Sequence, residues 1–357
     1  MNTMKKFLHN PLFYKDFKNA RWISLAILLY LIRYKFLILT QHFNSLKISL
    51  IEAIKSDSKS VLGLKENLAH WFKSDLLKSD QDTIIITILI LFLLTLLFRY
   101  ERNSATFSFT ASMPFKRKEI IKVKWLTGVF SIVLPLFITF ILLTTFYFKN
   151  INWIEDSYII ILQWFLINAL TFTAIFSFIF FIQTLMGKSA PASIIGALIL
   201  LLPGAIIVLS TDFILACFKD ISYPSYVRNL LQNTILYIIN TPDLNVFNSN
   251  YNKSNIFYYR NLNVKIIALI LVCIITYILS IYCFKRNDFE KTGHLVLFKP
   301  FEYILKFIIA IFLGLLMALI FGQSYAEDTL VVMYVSLTLG FLASYFITDK
   351  CIKYYSK

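Results

Sequence analysis

Hydrophobic and polar positions along this chain fall into long blocks rather than an alternation. Eight windows are almost free of charge: 22–40, 83–98, 126–148, 158–185, 191–210, 264–284, 304–322 and 329–348. Most approach the ~20 residues that carry a helix across a hydrocarbon core of roughly 30 Å. Each is therefore predicted as a membrane-spanning helix. The second window is short and is expected to extend into its flanks. The first is interrupted by Arg33 and Lys35.

The segments between windows have their own patterns. In 41–82, Leu46, Leu50 and Ile54, then Leu64, Leu68 and Trp71 or Phe72, recur at helical spacing on either side of "SDSKS" (56–60). This predicts two amphipathic helices. Residues 211–263 open with "TDFILACF" and close on an Asn- and Tyr-rich stretch, which reads as turns and loop. Two arrangements fit these segments: a cap over the membrane, or amphipathic pieces lying on the outer leaflet. In 99–125, Ala105, Phe109 and Met113 recur every fourth residue on a different face from Arg99 and Arg102. Pro114 ends that helix because it lacks the next backbone donor. Lys116, Arg117 and Lys118 then lead into the third span. By itself this pattern fits a membrane-surface hairpin held on anionic lipid.

Composition agrees with a polytopic membrane protein: 58% of 357 residues are apolar, 35 are Phe, and mean hydropathy is +0.69. The net charge of +15 raises the question of nucleic acid, so the charges must be placed. Eight spans put both termini on one side. That side, comprising 1–21, 99–125, 186–190, 285–303 with Lys306, and 349–357, holds 21 Lys or Arg against 7 Asp or Glu. The other side, comprising 41–82, 149–157, 211–263 with Lys265, and 323–328, holds 12 against 13. Basic residues concentrate on the cytoplasmic side of membrane proteins, so the first face is cytoplasmic. The excess charge is accounted for without nucleic acid.

Little catalytic chemistry is encoded. The N-terminus breaks its apolar character with Lys15, Asp16, Lys18 and Arg21, and is read as retained rather than as a signal peptide. The four cysteines suggest no disulfide framework. "MGKSAP" (186–191) ends like a phosphate-binding loop, but Ile182 stands where that loop needs glycine. It reads as a tight cytoplasmic turn. His9, His42, His70 and His294 share no metal-binding spacing, and no metal is expected. Apart from Lys265 and Lys306 at span ends, spans two to eight lack Asp, Glu, Lys, Arg and His within these limits. Ion-driven transporters and intramembrane proteases usually keep such groups. Their absence fits a transporter powered from outside the membrane. Arg33 and Lys35 have two readings: snorkelling to the headgroups, or contact with an anionic substrate or lipid. Small residues recur every fourth position in the last two spans, at Ala310, Gly314, Ala318 and Gly322, and at Ser336, Gly340 and Ser344. Such stripes permit close helix approach in lipid. The two spans are expected to pack as a hairpin, with a homodimer seam as the alternative. Pro203-Gly204 is expected to kink span five.

The loop "ERNSATFSFTASMPFKRKEIIKVK" resembles the cytoplasmic loop of ABC-2 type permeases, membrane subunits that pair with a separate ATPase. Glu101, Arg102, Thr106, Pro114, Lys118, Glu119 and Lys124 match its pattern, and Ala105 stands for the usual glycine. "NPLFYKDFKNARW" (10–22) is similar to the family's interfacial elbow, and "FKRNDFEKTGHLVLFKP" (284–300) to the segment after span six of eight-span members.

The resemblance implies an all-α polytopic fold, with a six-span ABC-2-like core at 1–284. It places the elbow at 5–21, external loops at 41–82 and 211–263, and a coupling loop at 99–125. A linker and two-helix hairpin follow at 285–357. It further implies that Glu101, Arg102, Thr106, Phe109, Pro114, Lys118 and Glu119 couple to an ATPase dimer. The chain would then pair with a second permease, itself or a sibling, in the bacterial plasma membrane. ATP and Mg would be bound by the ATPase and no cofactor by this chain. Export of an amphipathic, peptide or lipid-like compound in a resistance role is the implied function. A membrane enzyme using external acids such as Asp75, Asp80 or Asp212, and a non-transporting sensor, are the alternatives.

Overall fold

A computed structural model describes residues 11–56, 61–77, 80–99, 116–217, 227, 243–248, 253–286, 296–322 and 329–355. The all-α polytopic reading holds: eight of the described helices are long and apolar enough to cross a membrane.

The first is continuous over Pro11–Lys55. It comprises α1 (Pro11–Leu31), a π-helical segment (Ile32–Leu37) and α2 (Ile38–Lys55). At 1.5 Å per residue it is roughly 67 Å long, about twice what a bilayer core needs. Residues 11–21, the described part of the expected elbow, run into the first span without a break. α3 (Val61–Leu77) precedes α4 (Asp80–Arg99), which holds span two. The buried stripe of α2 is Leu39, Phe43, Leu50 and Ala53, whereas Ile54 is 58% exposed. The expected Leu46–Leu50–Ile54 stripe therefore drifts at its end. A helix of 3.6 residues per turn requires a three-residue step there.

Spans three to five are α5 (Arg117–Lys149), α6 (Ile159–Leu185) and α7 (Ser189–Cys217). α5 and α7 contain Pro135 and Pro203 and remain single helices. The Asn-rich stretch expected as loop holds an antiparallel pair, β1 (Asp243–Asn248) and β2 (Lys253–Tyr258), with Asn248 opposite Lys253. Leu244 and Val246 alternate with Asn245, a period-two signal that the surrounding Asn and Tyr obscure. α8 (Leu262–Arg286), α9 (Lys299–Gly322) and α10 (Thr329–Tyr355) complete the chain.

The chain divides into two compact units. One contains Met1–Leu93, Leu126–Ala174 and Asn240–Ile270. Aromatic rings fill it: Phe13 and Phe17 meet Phe130, and Phe43 stacks on Trp71 at 5.4 Å and meets Phe146 edge-on at 5.5 Å. α3 packs against α2 and also borders β2.

The other unit contains Leu94–Trp125, Ile175–Ile239 and Leu271–Lys357. Its core groups Ile182, Leu185, Met186, Ala192, Ile199, Leu305 and Ile352, joined by Val296 and Phe298 just before α9 and by Phe301 in its first turn.

Candidate functional site

The entry to span three from the loop 99–125 is built from a helix start. Lys116 precedes α5, its backbone N–H donates to Glu119 Oε2 (3.4 Å), and the Glu119 N–H donates to the Lys116 carbonyl (2.8 Å). This is the reciprocal half of a capping box, and an acid in the first turn also suits the helix dipole. Lys118 and Glu119 are both exposed there. Glu101, Arg102, Thr106, Phe109 and Pro114 lie outside the described residues.

The two helices that flank this loop are clasped together. Lys124 is 3% exposed, and its ammonium donates to the Leu97 carbonyl at 2.6 Å. That carbonyl lies in the last turn of α4, where helical acceptors lack backbone partners. The same ammonium lies 5.7 Å from the Phe98 ring centroid, and Phe98 packs edge-on against Phe180 at 5.1 Å. Trp125 Nε1 donates to Ser177 Oγ at 2.9 Å. Arg117 Nη1 donates to the Lys285 carbonyl at the end of α8 (3.4 Å).

The four–five turn is also pinned. Leu297 N–H donates to the Leu185 carbonyl at 2.9 Å, beside an isolated bridge between Met186 and Val296. Gln183 donates to Ser193 Oγ (2.7 Å) and to the Ser189 carbonyl (2.9 Å), and Ser193 meets Thr95 at 2.8 Å. "MGKSAP" thus joins two helices as a tight turn, with α6 ending at Leu185 and α7 starting at Ser189.

A second cluster of charge lies near the C-terminal end of the apolar window of span one. Lys35 sits in the π-helical segment, a deviation often found at functional positions. It is 5% exposed and pairs with Asp82 Oδ2 at 2.7 Å. It also donates to the Leu76 carbonyl at 3.4 Å, near the end of α3. Asp82 lies in the first turn of α4, and its other oxygen accepts from the Tyr30 hydroxyl at 2.8 Å. One lysine therefore grips both sides of the α3–α4 junction. Lys265 is fully buried with its ammonium 5.8 Å from the Tyr259 ring centroid. Burial, and secondarily the Asp82 carboxylate, pushes the Tyr259 phenol above its usual pKa. Arg33 is exposed, its guanidinium 5.9 Å from the Tyr34 ring centroid. Asp75, one of the external acids of the enzyme alternative, pairs with His42. Among the described residues, no three His, Cys, Asp or Glu are grouped to hold a metal.

Residues 76–242 match the family model described as ABC-2 family transporter protein. The resemblance to the ABC-2 permeases is thereby shown. No curated protein and no solved structure matches the chain. The ABC-2 match supports a transport role as a permease subunit rather than catalysis, in a multi-pass membrane protein. It takes in span two, the loop 99–125 with its Leu97–Lys124 clasp, and spans three to five.

The small-residue positions of the last two spans lie outside the ABC-2 match. A Cβ placed on Gly314 would stand 3.2 Å from the Leu337 carbonyl, and one on Gly340 would stand 3.0 Å from Met317 Cβ and 3.3 Å from Gly314 Cα. Ala318 is fully buried, Ser344 donates to the Gly340 carbonyl, and Ser336 donates to the Val332 carbonyl at 2.6 Å. Gly322 ends α9. Near the start of α9 and the end of α10, Lys306 pairs with Glu302 and Asp349, each at 2.5 Å.

Sequence reasoning gave Asp82 and Tyr30 no role and saw Lys265 only as a charge at a span end, because apolar windows show composition and not partners. An acid just before one span and a lysine inside another is the signal that pairs them. Lys124 was visible only as a family match, and its capping role needed the structure.

Proposed function

We propose that the chain is the permease subunit of an ATP-binding cassette exporter, driven by a separate cytoplasmic ATPase that binds ATP and Mg. Two permeases, identical or sibling, work on an ATPase dimer in the bacterial plasma membrane. The substrate is an amphipathic, peptide or lipid-like compound, and the physiological role is resistance. The chain itself hydrolyses nothing.

The supporting observation is the Leu97–Lys124 clasp within the ABC-2 match. It fixes the two helix ends that flank the loop, so that force on 100–115 acts on spans two and three together. Glu101, Arg102, Thr106 and Phe109 supply the ATPase contacts, Lys118 and Glu119 extend them onto α5, and Pro114 turns the chain. Arg33 snorkels toward the headgroups, since its exposed position leaves the buried pairing to Lys35.

The test is co-reconstitution in liposomes with an ATP-binding cassette ATPase from the same genome. Wild type is expected to stimulate its ATP hydrolysis, and Glu101→Lys to abolish the stimulation while inserting normally. Equal stimulation by both would refute the coupling assignment.

A further inference from the structure

The terminal hairpin forms one wall of a groove that nothing above explains. The groove has a volume of about 540 Å³, and Pro191, Leu198 and Leu202 of α7 face Leu305 and Phe312 of α9 and Ile352 of α10 across it. The size suits a small-molecule site. All three helices are of the membrane-spanning kind, and Ile194 and Leu198 at the rim are 63% and 52% exposed. The medium outside the groove is therefore lipid, not water.

Its depth is informative. The lining begins at Pro191, two residues into α7, and ends at Leu202. Eleven residues of helix rise about 17 Å, close to half of a hydrocarbon core of roughly 30 Å. The α9 side starts at Leu305, in the second turn, and the α10 side lies in its last two turns. All three therefore start from the cytoplasmic surface, and the groove spans one leaflet, the inner one.

Its chemistry selects the occupant. The polar lining groups are the Thr348 hydroxyl and the Cys351 thiol, and the hydroxyl already donates to the Ser344 and Tyr345 carbonyls. A polar ligand would lose its hydration here without replacement, whereas a hydrocarbon chain loses nothing. At the cytoplasmic mouth the acids Glu302 and Asp349 are neutralised by Lys306 and Lys353. Lys188, Lys299 and Lys350 are exposed at the ends of the same helices. The charge offered to a headgroup is positive.

We infer that this groove holds an acyl chain of an anionic phospholipid from the cytoplasmic leaflet, with its headgroup on the lysines at the mouth. The inference is independent of the ATPase reading and gives the hairpin a role: it is the second wall of a lipid site.

The experiment is native mass spectrometry of the full chain in mild detergent, with equal phosphatidylglycerol and phosphatidylcholine added. Wild type is expected to retain phosphatidylglycerol preferentially. Leu198→Trp, which fills the groove from its exposed rim, should lose the retained lipid, and Ile278→Trp, at an exposed position of α8 outside the groove, should not. Lys188→Glu should leave the groove intact and reduce the headgroup preference by at least about fivefold. Equal retention by Leu198→Trp and wild type would overturn the proposal, as would a wild type with no preference. A Leu198→Trp variant that converts a dimer to a monomer with lipid retention unchanged would also overturn it and assign the groove to a second copy of the chain. If Leu198→Trp does not fold, the Lys188→Glu preference decides on its own.

Discussion

Lys35 and Asp82 form an ion pair 2.7 Å long, in which both side chains are almost wholly removed from solvent. The pair joins the π-helical segment of the first span to the first turn of α4, and Tyr30 completes the coordination of the carboxylate. Removing one partner of a buried pair strands the other charge and costs about 3–5 kcal/mol, whereas replacing both with apolar groups is often neutral. Lys35→Met alone should therefore lower the thermal unfolding midpoint in detergent sharply. Lys35→Met with Asp82→Leu should recover most of the loss. A double variant no better than the single would mean that the pair is not what holds this junction.

Lys124 is expected to matter in a different way. Its ammonium satisfies a carbonyl at the end of α4, and Lys124→Met keeps the aliphatic stem while removing that donor. The carbonyl is left without its charged partner, at a cost of about 1–3 kcal/mol. Lys124→Arg, which can still donate, should be milder. Denaturation midpoints of the two variants give the comparison.

The close helix approach at Gly314 and Gly340 should not tolerate added volume. A Cβ on Gly314 meets backbone at 3.2 Å, which cannot move aside as a side chain end can. Gly314→Val is predicted to cost about 1–3 kcal/mol through overpacking. Gly314→Cys with Gly340→Cys should form a disulfide within one chain, seen as a mobility shift on a non-reducing gel. A crosslinked dimer would place these stripes at a seam between copies instead.

Tyr259 offers the opposite sign. Its hydroxyl oxygen is buried and has no hydrogen-bond partner among the described residues. Burying a polar group without a partner is unfavourable. Tyr259→Phe should therefore leave stability unchanged or raise it, as read from the same unfolding midpoints. A clear loss would show that the hydroxyl is engaged in the folded protein.

How much of this was legible beforehand depends on the range of each interaction. The eight spans are a local property of composition, so windows of apolar residues found them all. Helix length is less local. Polar residues 41–55 continue the first span as α2 because the backbone hydrogen-bond ladder runs on through them. Lys35 was visible as an anomaly inside an apolar window. Its partner was not, since Asp82 lies 47 residues away, beyond two amphipathic helices. The β-hairpin was hidden by its Asn and Tyr content, which obscures the period-two signal. The groove was not legible at all: it is shaped by α7, α9 and α10, whose facing residues are ordinary Leu, Ile and Phe. The loop's resemblance was legible in its residues, whereas the clasp between the helices that flank it, Lys124 on Leu97, emerged only from the packing.

The account turns on residues 99–125 being the contact for an ATPase. The most direct measurement is co-purification in detergent with an ATP-binding cassette ATPase from the same genome, using wild type and a chain with 101–113 scrambled. The account predicts retention of the ATPase by wild type and its loss from the scrambled chain, with both chains inserted equally. An ATPase that binds neither chain, or both equally, would contradict it.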